Sequence, residues 1–370
     1  RLHRSASSRM SRPAISIQSG GGWTFGSPSV LMMFYRAPGE LESELAEMDE
    51  CMPHYYRVTN RHGQGAETIM RAEALFYQGH VTDAHIELER AYAQVGGNGQ
   101  INMALCCDFL SWRLSLQTDV ERRYTFSERY AALLRYHDAS WINIWSATSA
   151  YYHALRGETD KIPEIFSQHR LSDIHLLAPG KPMMEMIENQ VYLAQGAYAK
   201  VVGRSAELLA ACEAMHYALV ALHIRVQTAA AYARLGKHET AHTWLQKALS
   251  DAEPDGLVMP FAENYSLLKP LLAWETRSAF AARITALGEA AQARGAERLR
   301  PAAFRALTAR EFEIVELMVQ RLSNREIAQK CYLSEGSVKQ YVNQIYSKLH
   351  IEGDTRTKRA QLAALLHEKT

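Results

Sequence analysis

The side chains best suited to chemistry lie in "SEGSVKQYVNQIYSKL", between Ser334 and Leu349. Val338, Val342, Ile345 and Leu349 recur at i, i+4, i+7 and i+11, which draws a single apolar stripe along a helix. At about 100° per residue, Gln340, Asn343, Gln344 and Ser347 project away from that stripe, and Lys339 and Lys348 flank it. Asn and Gln amides can pair with the adenine edge in a major groove, while Lys and Ser can reach guanine or phosphate. This is the chemistry of recognition, not of bond making. No Ser/His/Asp or Cys/His arrangement stands out, and fifteen histidines fall without metal-ligand spacing. No catalytic residue and no metal are therefore expected.

Two shorter helices precede that stretch, each with its start written into the sequence. Thr308 is followed three residues later by Glu311, and Ser323 by Glu326, both capping boxes. Ser334 can cap the third helix. Phe312, Val315, Met318 or Val319 form a face on the first helix; Ile327, Ala328 and Cys331 form one on the second. Ala328 is small where two helices of a tight turn must cross. Whole-chain net charge is only +1, but eight cationic against four acidic side chains give 321–359 a charge of +4. The rest of the chain is net negative, the asymmetry expected of a nucleic-acid-reading module on another body.

Residues 307–360 resemble the LuxR-type helix-turn-helix. The pattern is matched by Leu307, Thr308, Arg310, Glu311, Glu313, Ser323, Asn324, Glu326, Ile327, Ala328, Ser334, Val338, Lys339, Ile345, Lys348 and Leu349. The resemblance implies a transcription regulator that binds double-stranded DNA, and a fourth helix from Asp354 or Thr355 through Leu362, Leu365 and Leu366 that pairs two copies. It places Lys339, Gln340 and Asn343 in the groove; Gln344 joins them as a base contact. Ser323, Arg325, Ser334, Ser337, Tyr341 and Lys348 are assigned to phosphate. Arg321 stands where the family has a turn glycine, and Tyr341 where histidine is frequent.

Upstream the chain reads as helical almost throughout, and it repeats. Gly79 is followed by Ala84, Leu88 and Ala91; Gly236 by Ala241, Leu245 and Ala248, at the same offsets. Weaker copies begin at Gly157 and Gly196, and one slot near Thr118 lacks its glycine. A unit of about 39–40 residues fits stacked helical hairpins. The offsets resemble tetratricopeptide repeats, slightly stretched. Such repeats ahead of a LuxR-type module are similar to the large regulators of the maltose-activator kind, in which a sensor superhelix follows an ATPase. The expected fold is therefore all-α: a tetratricopeptide-like superhelix followed by a four-helix LuxR-type domain.

The resulting division is a lead-in over 1–38, partly disordered or the remnant of an upstream domain, a sensor or interaction domain over 39–295, a linker over 296–306, and the DNA-binding domain over 307–370. Gly295 and Pro301 motivate the linker. No G-x-x-x-x-G-K-[ST] loop occurs, so no cofactor is expected in this chain; ATP would enter only with an ATPase domain upstream of Arg1. Five cysteines without paired spacing suit a reducing, cytoplasmic setting. A homodimer or higher oligomer on DNA is expected, with a small-molecule inducer or regulatory protein at the repeats and no membrane. Trp141, Trp145 and Tyr152 could stack a ligand, although aromatics at this spacing more often pack helices. His216 and His223 read as surface or partly buried. The competing reading is an interaction scaffold whose last module has lost DNA binding; Lys339, Gln340, Asn343 and Lys348 argue for the regulator, since a disused groove face has little reason to stay polar and basic.

Overall fold

The computed structural model describes residues 26–59, 61–96, 100–120, 122–136, 139–299 and 302–367. Among them the chain is helical, with nineteen α-helices, short 3-10 turns and no strand. It divides between Ala291 and Gln292 into two units. No described helix is long and apolar enough to cross a membrane. The first part of the lead-in, 1–25, lies outside the described residues.

The larger unit contains α1 (Leu31–Phe34), α2 (Leu41–Val58), α3 (Ala66–Tyr77), α4 (Val81–Gly96), α5 (Ile101–Gln117), α6 (Phe126–Leu133), α7 (Ala139–Leu155) and α8 (Glu164–Ser167). It continues with α9 (Lys181–Ala194), α10 (Tyr198–Met215), α11 (Ala218–Arg234), α12 (His238–Ala252), α13 (Met259–Glu263), α14 (Tyr265–Leu272) and the part of α15 (Ala279–Leu299) up to Ala291. Consecutive helices α3–α4, α4–α5, α9–α10, α10–α11 and α11–α12 pack on one another.

The recurring glycines make these reversals. Gly79, Gly157, Gly196 and Gly236 have φ of 82°, 69°, 75° and 75°. At each, the glycine N–H donates to the carbonyl three residues back and the next N–H to the carbonyl five residues back, as in Gly79→Phe76 with His80→Leu75, and Gly236→Ala233 with Lys237→Tyr232. That is a Schellman cap, which consumes the orphan carbonyls of a helix end and requires a left-handed residue. After each of the two full copies, Ala84, Leu88 and Ala91, and likewise Ala241, Leu245 and Ala248, are at most 1% exposed. Thr118, at the slot without glycine, is extended (φ −138°, ψ 164°), so α5 ends without this turn.

The centre of the unit is polar. Arg113 of α5 grips Glu263 of α13 through Nε (2.7 Å) and Nη2 (2.9 Å), with the two side chains 2% and 1% exposed. Arg113 Nη1 donates to the Tyr77 hydroxyl at 2.9 Å, which lies 3.0 Å from His223 Nε2, and the Tyr151 hydroxyl donates to Glu263 at 3.0 Å. The guanidinium also sits 4.7 Å from the ring centres of Phe76 and Tyr77. Burial of such a pair pays off only when every donor and acceptor is matched, and here five helices supply the matches.

Three expectations shift. His223 is fully buried, and burial together with the nearby Arg113 charge holds its pKa well below the usual value, so it is neutral. The sequence pattern places residues 26–38 in the lead-in, yet Val30, Leu31, Met32 and Tyr35 belong to the core; Leu31 N–H donates to Glu73 (2.7 Å) and Ala218 N–H to the Tyr35 carbonyl (3.1 Å). The apolar run there outweighs the Ser/Gly composition around it. Gly295 interrupts nothing, because α15 continues to Leu299. A single helix-interior glycine costs only about 1 kcal/mol, and Ala, Gln, Arg and Glu around it favour helix.

The hairpin glycines differ in their surroundings. A Cβ at Gly196 meets nothing within 4 Å, whereas one at Gly79 approaches Leu287 Cδ1 at 2.9 Å and Val258 Cγ2 at 3.0 Å. Gly196→Ala should therefore cost about 1–2 kcal/mol from the left-handed backbone alone. Gly79→Ala should cost about 1–3 kcal/mol more from overpacking. Urea unfolding of the two variants checks the order; equal losses would show that crowding at Gly79 is absorbed.

Candidate nucleic-acid interface

In the C-terminal unit the four helices are α16 (Ala309–Val319), α17 (Asn324–Cys331), α18 (Glu335–Lys348) and α19 (Thr355–His367). Both capping boxes are formed. Thr308 Oγ1 accepts from Glu311 N–H while a Glu311 carboxylate oxygen accepts from Thr308 N–H at 2.7 Å, and Ser323 with Glu326 repeats the exchange. Ser334 Oγ accepts from Ser337 N–H at 3.0 Å, capping α18. Asp354 Oδ1 accepts from Thr357 N–H at 2.8 Å and opens α19, where Leu362 is fully buried.

The core between these helices is small. Ile314, Val315 and Met318 of α16 meet Ile327, Ala328 and Cys331 of α17 and Val338 and Ile345 of α18, all at most 6% exposed. Val342 and Leu349 are partly buried against the same cluster, and Tyr346, outside the stripe read from sequence, is 7% exposed. It turns toward α19, whose Lys358 ammonium lies 5.4 Å from the ring centre.

Cations tie the helices together. Glu311 is buried, and beyond its cap it receives the Lys348 ammonium on both oxygens at 2.8 Å, joining the start of α16 to the end of α18. Arg310 donates to the Cys331 carbonyl at the end of α17 and pairs with Glu313 at 2.6 Å. Arg359 donates to the Leu322 carbonyl at 3.1 Å. The three ties between helices, Lys348 to Glu311, Arg310 to Cys331 and Arg359 to Leu322, join residues twenty or more positions apart and so have no local sequence signature.

The polar face has the following disposition. Lys339, Gln340, Asn343, Gln344 and Ser347 are exposed on α18, on the side away from Val338 and Ile345. Arg325 and Lys330 are exposed on α17. Of the residues assigned to phosphate, Ser323 is exposed with its hydroxyl donating to Glu326, Ser334 is exposed and Ser337 half-buried with their hydroxyls 2.8 Å apart, and Tyr341 is half-buried against the core. Lys348 is exposed in part but already engaged by Glu311, so a phosphate would have to share it. The aromatic trio lies elsewhere, in the larger unit. Tyr152 is 6% exposed and meets Trp112 edge-on at 4.8 Å; the Trp145 indole donates to the Phe126 carbonyl and its ring meets Phe126 and Tyr130. Trp141 and Trp145 are partly buried against the core. Tyr152 and Trp145 thus spend much of their ring surface on packing within the unit.

The turns of this unit use the same Schellman cap without glycine. Arg321, Tyr332 and His350 have φ of 64°, 54° and 53°, and each donates to a carbonyl three residues back while its successor donates five back. A non-glycine residue pays roughly 1–2 kcal/mol in this region, and glycine returns about 0.5–1 kcal/mol of that as chain entropy. Arg321→Gly should stabilise the unit by about 0.5–1 kcal/mol in thermal unfolding; a loss would show that the Arg321 side chain contributes packing. The Glu311 carboxyl is pushed up by burial, but hydrogen bonds from Lys348 and Thr308 hold it net below its ordinary value. A depressed carboxylate stabilises the fold above its unfolded pKa of about 4.3, and the contribution is lost as pH falls through the folded value. Glu311→Gln should lower stability at neutral pH by about 1.5–3 kcal/mol and flatten this acid limb. An unchanged acid profile would contradict the clamp.

Residues 305–360 match the family model of bacterial regulatory proteins, luxR family. The transcriptional regulatory protein LnrK of Bacillus subtilis (strain 168) is 44% identical over 50 residues, covering 14% of this chain and 23% of that protein. The chain thus spans under a quarter of the length of this curated relative. No solved structure matches the chain. Two reciprocal capping boxes, a small residue at the crossing of α17 and α18, and a third helix with one buried and one polar side are the geometry behind that match: the C-terminal unit carries a helix-turn-helix domain of the luxR family of bacterial regulatory proteins.

Proposed function

We propose that the chain is a sequence-specific DNA-binding transcription regulator, with α18 entering the major groove and the helical-repeat unit sensing an inducer or partner and controlling assembly. The observation that carries the reading is the two-sidedness of α18. Val338 and Ile345 are fully buried, while Lys339, Gln340, Asn343 and Gln344 stand in water on the other side. A helix fastened by its apolar side to a compact support, with amides and an ammonium outward, matches the hydrogen-bonding code of base edges.

Affinity from one such module is limited, so paired half-sites and two or more protomers on DNA belong to the proposal. Sensing has its support in the larger unit. A cleft of about 470 Å³ between α9 and α10 is bordered by His169, Lys181, Glu188, Tyr192 and Arg204, with the His169 and Tyr192 rings stacked at 3.8 Å. Its size is that of a small-molecule site.

Selection of bound duplexes from a random pool tests the core of the proposal. Lys339→Glu should weaken binding to all sequences and reduce the salt slope by about one. Asn343→Ala should relax preference at individual bases, by about 1–3 kcal/mol per lost bidentate contact. A Lys339→Glu variant with an unaltered salt titration would remove α18 from the groove, and sedimentation showing one protomer per site would remove the assembly part.

A further inference from the structure

The turn between α17 and α18 holds a residue that nothing inside the protein explains. Tyr332 is 96% exposed, against 49% for Trp274, the next most exposed large hydrophobic side chain among the described residues. Its backbone is left-handed (φ 54°, ψ 43°), a conformation disfavoured for a bulky side chain. The turn itself is closed by main-chain bonds, chiefly Leu333 N–H to the Ala328 carbonyl at 2.9 Å, and these need no tyrosine. Glycine or asparagine would serve the fold better at this position. The ring thus carries two local penalties and receives no packing in return.

Its position suggests where the return comes from. Tyr332 stands two residues before Ser334, the cap of α18. When a helix enters a major groove by its N-terminal end and the preceding helix crosses above, the turn joining them runs beside the sugar–phosphate wall. Exposed Lys330 stands two residues before Tyr332 at the end of α17, and exposed Glu335 three residues after it in the first turn of α18. A phenol suits that wall, since its hydroxyl donates to a phosphate oxygen and its ring covers deoxyribose carbons. We propose that Tyr332 is a backbone-contacting residue, anchoring the turn on phosphate and deoxyribose at the edge of the groove that α18 occupies. This rests on the DNA-binding reading above.

The full chain with Tyr332→Gly and with Tyr332→Phe, titrated by fluorescence anisotropy against a duplex recovered by selection and against poly(dA–dT), tests it. The glycine variant should bind both duplexes about tenfold more weakly (1.4 kcal/mol) and the phenylalanine variant about threefold. The ratio between the two duplexes and the salt slope should stay as in the wild type, because a neutral backbone contact reads no base and releases no counterion. Thermal unfolding of the glycine variant should shift upward or stay, which separates lost contact from lost fold; should it fall, the phenylalanine variant, which keeps the backbone and the ring, decides alone. Wild-type affinity in either variant overturns the assignment while leaving the regulator reading intact. A wild-type chain that retains neither duplex overturns both.

Discussion

A residue with positive φ just past a helix end reverses the chain most tightly, and both units use that device repeatedly. Gly79, Gly157, Gly196 and Gly236 supply it upstream with the residue type that pays no steric cost. In the C-terminal unit Arg321, Tyr332 and His350 supply it through the identical pair of main-chain bonds. The hydrogen bonding is the same in both places, and glycine is not obligatory for it: His169 and His216 of the larger unit, with φ of 57° and 58°, close the same pair of main-chain bonds.

The C-terminal unit has a small apolar core, and its charges add ties between the helices around it. Glu311 completes the cap of one helix and receives the terminal lysine of another, so a single carboxylate fixes both ends of the path that supports α18. Arg310 and Arg359 do related work on the carbonyls of Cys331 and Leu322. The local positive charge therefore has two populations. One part clamps helices, and another, including Lys339, Arg325 and Lys330, faces solvent. Counting charge along the segment does not distinguish them.

Much of this was legible in the residues because it is local. Capping boxes span three positions, the Schellman glycines announce themselves by type, and the Val338–Ile345 stripe follows from helical period. The Ala and Leu offsets after Gly79 and Gly236 were readable because close helix approach restricts the choice of side chain. The rest has no local signature. Arg113 and Glu263 are 150 positions apart, and His223 reads as an ordinary helix residue until the hydroxyls around it are seen. Tyr346 escaped because its side of α18 is covered by α19, which lies beyond the helix whose period defined the stripe. Composition hides the role of Val30–Met32, which are buried in the core where α1 packs on α11, far downstream in the chain.

Ties of that length have a consequence for how the larger unit comes apart. Asp255 receives the Tyr35 hydroxyl and the Gly39 N–H, Arg283 reaches the Gln78 carbonyl, and Arg113 holds Glu263, so early and late hairpins are stitched directly. An open array of repeats touches only neighbours and can fray from either end. Here the first and last hairpins are held to each other as well as to their neighbours, a long-range coupling that an open array lacks and that favours concerted melting.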